Sequence, residues 1–183
     1  YFTNKLIDKF PNEIEVIKLD SYYKDLSHLT FKKREENNFD HPDSFEFDLL
    51  VSNLKDLEKY GQVHIPIYDY KNHIRKKRTY FLSKRKIIII EGIYSLYNYD
   101  IRSKMDLKIF IDSKEEIRLG RRIERDLKFR ARTKESILKQ YNENVKPMYD
   151  QLVSNTKKHA NLILKNNDSN NVSFNILLNK IIS

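Results

Sequence analysis

Lys86-Ile87-Ile88-Ile89-Ile90-Glu91-Gly92 is the stretch on which the reading of this chain turns. Four consecutive isoleucines leave no polar face, so a strand made of them is covered on both sides, as the inner strands of a parallel α/β sheet are. Glu91 follows at once. In open parallel sheets ligands bind beyond the carboxyl ends of the strands, and a carboxylate there suits a cation or a phosphate-bound metal. The same run also fits any buried core, with Glu91 simply leaving it for solvent.

Upstream, Ile14 to Leu19 alternates as a strand and delivers Asp20-Ser21-Tyr22-Tyr23 to its carboxyl end, so Asp20 occupies the same kind of place as Glu91. Before it, Phe2, Leu6, Ile7 and Phe10 fall at helical spacing and Pro11 closes the segment. That helix has no visible cap and no preceding strand, and a further element is expected upstream of it. Residues 24–43 are polar and aromatic, with a short helix around Phe31 to Glu36, and end in Asn38-Phe39-Asp40-His41-Pro42-Asp43-Ser44. Ser44 or Asp43 is expected to cap the next helix, whose Phe45, Leu49, Leu50, Leu54 and Leu57 line one face until Gly61 stops it. Val63 to Tyr70 alternates like a strand, and Pro66 makes it an edge. Lys71 to Arg78 reads as a basic turn and Thr79 to Leu82 as the returning arm, a β-hairpin appendage over about 62–83.

Downstream, Leu107 to Asp112 is a strand, and Ser113 can cap a helix with Glu115 and Glu116 in its first turn. Lys128 to Thr133 interrupts that helix, marking a lid over about 122–135. A second helix is expected from about Glu135 to Leu152, bent at Pro147. A last strand at Ala160 to Leu164, an Asn-rich loop at 166–171 and a closing helix around Phe174 to Ile181 complete the chain. Strands alternating with helices argue for an α/β fold with a parallel sheet and right-handed crossovers, and for a ligand crevice at the strand ends. At 183 residues one domain is the expectation.

The absence of cysteine excludes a disulfide framework and a thiolate metal site. No apolar run approaches the roughly 20 residues needed to span a bilayer, and no signal peptide is visible. With 35 basic against 26 acidic residues and a net charge of +9, the chain should attract polyanions, either nucleic acid or the phosphates of a nucleotide. Most individual lysines read as solvated surface.

Three constellations carry chemistry. Asp20 and Glu91, as acids on strand ends, can coordinate a hydrated Mg²⁺ and accept a proton from a hydroxyl nucleophile, as phosphoryl transfer from ATP requires. The plainer reading is one ordinary strand-end acid and one helix cap, and Asp20 taken singly falls under it. Arg121, Arg122, Arg125, Arg130 and Arg132 surround the helix break, where guanidinium groups can clamp phosphate oxygens; a solvated basic helix is the plainer reading. Tyr68, Tyr70 and His73 at the hairpin end offer ring faces to a planar base, or are simply a β-surface.

Taken together, Leu19-Asp20-Ser21-Tyr22-Tyr23, Asn38-Phe39-Asp40-His41-Pro42, Ile67-Tyr68-Asp69-Tyr70 with His73, Glu91-Gly92-Ile93, Arg121-Arg122-Ile123-Glu124-Arg125-Asp126, Arg130 with Arg132, and Gln140-Tyr141 before Val145-Lys146-Pro147 resemble the uridine kinase (uridine–cytidine kinase) family of P-loop kinases. The resemblance implies a single nucleoside kinase domain over 1–183, built as a three-layer P-loop NTPase-like parallel sheet flanked by helices with the small β-hairpin appended. It implies transfer of the γ-phosphate of ATP or GTP, with Mg²⁺, to the 5′-hydroxyl of uridine or cytidine in pyrimidine salvage. By the family pattern Asp20 is the general base, with Glu91 beside it near the metal. Asp40 holds the ribose hydroxyls, Tyr68 and His73 the base, and Tyr23, Phe39 and Tyr70 wall the pocket. Arg122, Arg132 and Gln140 complete the nucleoside site, and Arg125 and Arg130 reach the phosphates. A cytoplasmic homotetramer is implied, with no membrane or nucleic-acid partner.

The family pattern begins with a buried strand and a G-x-x-x-x-G-K-[ST] loop whose amides cradle the triphosphate, and neither occurs in these residues. The sequence is therefore expected to be an N-terminally incomplete record, and ATP turnover is not expected of this piece without that loop. Two rival readings remain. A sugar-phosphate kinase resembling phosphoribulokinase shares the acid and arginine features but has no base for Tyr68 and His73 to grip. A non-catalytic basic nucleic-acid-binding domain leaves Asp20, Asp40 and Glu91 unexplained, since acids weaken a phosphate-tracking groove.

Overall fold

The computed structural model describes residues 1–130, 132–166 and 171–182. They form two compact units, Tyr1–Met105 and Asp106–Ser183. Ala131 of the expected lid and residues 167–170 of the Asn-rich loop lie outside the described residues.

The first unit opens with α1 (Phe2–Lys9), which buries Phe2 and Leu6, and β1 (Ile14–Lys18). The strand stops one residue earlier than the alternation predicts, because Leu19–Tyr22 tightens into a 3₁₀ turn that carries Asp20. After the short helix α2 (Phe31–Glu35), the chain reaches α3 (Phe47–Tyr60). Neither Ser44 nor Asp43 caps α3. The backbone is held extended through Phe45, which bridges to Tyr23, while the Lys24 amide donates to the Ser44 carbonyl at 2.8 Å and the Glu46 amide to the Tyr22 carbonyl at 2.8 Å. The Ser44 hydroxyl donates instead to the Asn38 carbonyl. Gly61 ends α3 in the left-handed region, at φ 72°, its amide donating to the Leu57 carbonyl.

The hairpin pairs β2 (Gln62–Asp69) with β3 (Ile74–Ser83) in antiparallel register, with a bulge between Pro66 and Tyr68. Pro66 brings no amide to the ladder, which is why the irregularity falls there. The turn is shorter than the sequence suggests, and Arg75 to Arg78 belong to β3. The Asp69 carboxylate closes the turn by accepting from the Lys71 and Asn72 amides at 3.0 and 3.2 Å. His73 completes it at φ 54°.

β4 (Ile87–Glu91) lies parallel to β1, with Ile14 opposite Ile87 and Lys18 opposite Glu91. Among the described residues β1 is the strand that pairs with β4, and the four isoleucines are half-buried where the unbroken run predicts full burial. Gly92 leaves β4 at φ 153°, a conformation that side chains rarely adopt, and a Cβ there would lie 2.5 Å from Leu19 Cβ. α4 (Tyr99–Ser103), capped by Asn98, ends the unit. At five residues it is too short to register as a periodic pattern.

In the second unit β5 (Ile109–Asp112) runs parallel to β6 (Leu162–Lys165), Ile109 facing Leu162. Ser113 does not cap α5 (Glu115–Phe129); its hydroxyl donates to the Asn166 carbonyl at 3.1 Å. Thr133 caps α6 (Lys134–Gln140), accepting from the Ser136 amide. Beyond Gln140 the expected continuous helix is irregular. Wide π turns at Tyr141–Val145 and Tyr149–Val153 flank α7 (Lys146–Met148), and a 3₁₀ turn follows at Ser154–His159. Pro147 in α7 has no amide for the ordinary i−4 bond, and the amides of Lys146 and Ser154 reach back five residues, to the Tyr141 and Tyr149 carbonyls. The closing helix, α8 (Val172–Ile182), forms as expected. The fold is thus α/β, with parallel strand pairs flanked by helices and the hairpin as a ladder of its own. No helix among the described residues is long and apolar enough to cross a membrane.

Gly92→Ala should destabilise the chain by about 3 kcal/mol, combining an unfavourable backbone conformation with overpacking against Leu19. Gly120→Ala, inside α5 with nothing within 4 Å of the new methyl, should stabilise it by about 1 kcal/mol. Urea unfolding of the two variants would check the contrast, and equal effects would refute the steric account of Gly92.

Candidate functional site

In the first unit the predicted residues gather around Tyr23. Its ring stacks on Phe45 at 4.3 Å between centroids, meets Phe39 edge-on at 5.4 Å and tilts against Tyr68 at 5.1 Å. Burial pushes the Tyr23 phenol well above its ordinary pKa, and the negative charges of Asp20 and Asp40 add to that, followed by Tyr70 and Tyr68. Asp20 and Asp40 therefore both act on one ring from separate loops. Phe39 stacks on His73 at 4.7 Å, and Tyr68 meets Tyr70 edge-on at 5.5 Å. Asp20, Tyr23, Phe39, Asp40, Tyr68, Tyr70 and His73 are thus brought together by the 3₁₀ turn after β1, the loop before α3 and the hairpin end.

Local chemistry fixes each piece. The bridge between Tyr23 and Phe45 holds the Tyr23 backbone. Asp40 sits in a turn where its amide donates to Asn38 Oδ1 at 3.1 Å. The fully buried Tyr94, which the sequence reading does not single out, donates its hydroxyl to the Asp40 carbonyl at 2.7 Å. Arg75 ties the hairpin in, with ion-pair contact to Glu46 at 2.6 Å and a donor on the Tyr22 carbonyl at 3.3 Å. Tyr22 is itself fully buried and accepts from Asn53, and burial pushes its phenol up to about 12.

Asp20 and Glu91 sit at neighbouring strand ends, Asp20 two residues beyond Lys18, the partner of Glu91 in the β1–β4 register. No group of three or more His, Asp or Glu side chains suited to a metal forms among the described residues. Two carboxylates are nevertheless the donor set that Mg²⁺ takes when waters and phosphate oxygens complete its octahedron. The residues present fit that ion.

In the second unit the arginines gather around a carboxylate. Asp126 is fully buried, with Arg125 Nε 2.7 Å from Oδ1, Arg130 Nε 3.6 Å from Oδ1 and Arg122 Nε 3.7 Å from Oδ2. Burial alone would raise the Asp126 pKa; the hydrogen bond and charge of Arg125, then the charges of Arg130 and Arg122, more than reverse this and hold it below the ordinary value. Gln140 Oε1 accepts from Arg122 at 3.1 Å and also from Arg132. Arg122, Arg125, Arg130, Arg132 and Gln140 therefore form one network within this unit. The hub, Asp126, is absent from the predicted site residues, although its spacing was a signal: it lies four residues from both Arg122 and Arg130.

The Phosphoribulokinase / Uridine kinase family matches residues 2–173. A uridine kinase of Staphylococcus epidermidis is 45% identical over 170 residues, which cover 93% of this chain and 82% of that protein. A uridine kinase of Clostridium novyi is 43% identical over 179 residues, 97% of this chain and 86% of that protein. Among solved structures, phosphoribulokinase from Rhodobacter spheroides superposes with a TM-score of 0.66 at 14% identity, over 90% of this chain and 64% of that one, a likeness of fold.

Because Asp126 titrates below its ordinary value of 3.8 when folded, its contribution is complete above that pH. It declines as pH falls further, since the unfolded chain takes up the proton first. Asp126→Asn should cost about 3 kcal/mol at pH 7 by leaving three guanidinium groups without their buried partner. The deficit should shrink in acid, and urea unfolding from pH 7 down to pH 3 would test this; a pH-independent deficit would rule out the ionised carboxylate as the cause.

Proposed function

The chain belongs to the Phosphoribulokinase / Uridine kinase family, and from that footing we propose that it is a uridine/cytidine kinase, moving the γ-phosphate of ATP or GTP to the 5′-hydroxyl of a pyrimidine ribonucleoside. The observation that carries this reading is the ring-lined group around Tyr23, on which Asp20 and Asp40 both act. Ring faces suit a planar base, and a carboxylate beside them suits vicinal ribose hydroxyls. A sugar phosphate offers nothing for Tyr68 and His73 to grip, and the acids oppose a nucleic-acid groove. We take residues 1–183 as one nucleoside kinase domain, in a cytoplasmic homotetramer.

In this mechanism Asp40 accepts from the ribose hydroxyls, Tyr68 and His73 hold the base, and Tyr23, Phe39 and Tyr70 exclude water from it. Asp20 accepts a hydrogen bond from the 5′-hydroxyl, orients that hydroxyl oxygen's lone pair towards the γ-phosphorus and takes its proton as the new P–O bond forms and the bond from the γ-phosphorus to the departing nucleoside diphosphate breaks. In a loose transition state this positioning contributes more than early deprotonation. Asp20 and Glu91 would hold Mg²⁺, which when bound screens the charge on the phosphate oxygens. Arg125 and Arg130 supply guanidinium donors for the transferring phosphoryl oxygens, and Arg122, Arg132 and Gln140 bind the nucleoside side of the reaction. The 183 residues contain no G-x-x-x-x-G-K-[ST] segment, and these roles concern the acceptor and the transferring group.

Nucleoside-dependent release of ADP or GDP by the full-length protein tests the proposal: turnover with uridine or cytidine is expected, and turnover with a sugar phosphate in their place would overturn it. Asp20→Asn should lower kcat by roughly 10²- to 10⁴-fold while uridine Kd stays within about threefold. His73→Ala should raise KM for the nucleoside about tenfold and leave KM for the donor within about twofold. Equal effects of His73→Ala on both substrates would remove it from the base site.

A further inference from the structure

Tyr94 is fully buried and has no task in the mechanism above. It lies three residues beyond Glu91 in the segment that leaves β4, and its hydroxyl donates to the Asp40 carbonyl at 2.7 Å, 54 residues away along the chain. The ring that carries the hydroxyl is itself held. It meets Phe45 edge-on at 5.7 Å and Tyr97 edge-on at 5.5 Å, and Phe47 closes the circle, 5.8 Å from Phe45 and 6.1 Å from Tyr97. Phe45 in turn stacks on Tyr23. Aromatic pairs at these separations are favourable, and a phenol packed against two neighbours carries its oxygen to a fixed point.

Asp40 belongs to a turn that closes on itself. Asn38 Oδ1 accepts from the Asp40 amide at 3.1 Å, and the Asn38 carbonyl accepts from the His41 amide at 3.1 Å and from the Ser44 hydroxyl at 2.6 Å. These bonds all lie within residues 38–44, so they set the shape of the turn and not its place in the unit. The Tyr94 bond comes from outside it. Peptide units are planar, so a donor fixed on the Asp40 carbonyl helps to fix the plane that leaves Asp40, while Asn38 holds the plane that enters it. The direction of the Asp40 side chain follows from the two. The segment that carries Glu91, one of the acids assigned to the metal, thus also seats the carboxylate assigned to the ribose.

We propose that Tyr94 is a positioning residue: its hydroxyl seats the turn over residues 38–41 so that the Asp40 carboxylate meets both ribose hydroxyls, and the site's preference for a ribonucleoside over its 2′-deoxy counterpart depends on it. The proposal rests on the nucleoside reading of this pocket. A 2′-deoxyribonucleoside offers Asp40 one hydroxyl instead of two, so it gains less from an accurately placed carboxylate and loses less when the placement is relaxed.

The test is calorimetric binding of uridine and 2′-deoxyuridine to the full-length protein, to Tyr94→Phe, to Asp40→Ala and to the double variant, with far-UV circular dichroism to confirm folding. Tyr94→Phe removes the hydroxyl and keeps the ring contacts. The unaltered protein should bind uridine about tenfold more tightly than 2′-deoxyuridine. Tyr94→Phe should weaken uridine about three- to tenfold and 2′-deoxyuridine by less than about twofold, with KM for the donor held within about twofold. In the Asp40→Ala background the same change should weaken uridine by less than about twofold, because there is no carboxylate left to place. A hydroxyl with a merely structural role would weaken both nucleosides alike and add its effect to that of Asp40→Ala. Either result, or an unchanged affinity for uridine, would overturn the assignment. Failure of the unaltered protein to bind either nucleoside would instead overturn the nucleoside reading itself, and the assignment with it.

Discussion

Gly92 leaves no room for a side chain beside Leu19, and that contact governs how the first unit is put together. It lets the segment leaving β4 pass directly against the turn leaving β1. The parallel register fixes Lys18 opposite Glu91, so the close approach sets the distance over which the chain must then place Asp20. Leu19, fully buried, acts as the peg: it faces Gly92 while the next residue carries the carboxylate. From there the chain needs only three residues to reach Tyr23, where the extended bridge to Phe45 takes over. Packing at one glycine thus precedes, and conditions, the arrangement of the ring-lined group.

Much of this was legible before any coordinates. Period-two alternation located β1, the unbroken isoleucine run located β4, helical spacing located α1 and the body of α3, and Gly61 marked its end. The residues on which the family resemblance rests include Asp20, Tyr23, Phe39, Asp40, Tyr68, Tyr70 and His73, but not Phe45, which stacks on Tyr23. What stayed hidden was decided by contacts distant in sequence. Ser44 and Ser113 look like helix caps, but each gives its hydroxyl to a backbone carbonyl, Asn38 and Asn166 respectively. Four isoleucines in a row speak for burial on two sides, yet exposure depends on which strands flank them, which a local run does not encode. Tyr94 carried no signal, because a single buried tyrosine has no periodicity.

The two units treat charge differently. Around Tyr23, burial raises the phenol further above its ordinary pKa and the negative charges of Asp20 and Asp40 add to that. Around Asp126, one carboxylate is surrounded by guanidinium groups, and the sum is strongly positive. Taking Asp126 out of water is unfavourable in itself. What it achieves is geometric: arginines with many rotamers are confined near one point before any ligand arrives.

That confinement also makes Asp126 a resident competitor. It presents an anion to Arg122, Arg125 and Arg130 at an effective concentration far above that of any ligand in solution. A phosphate that engages those side chains exchanges one negative partner for another, instead of meeting naked cations. Few condensed counterions are then displaced, and added salt weakens the outgoing and incoming pairs together. The chain's net charge of +9 consequently overstates its pull on polyanions at this place: ionic strength should govern how fast an anion approaches far more than how tightly it is finally held.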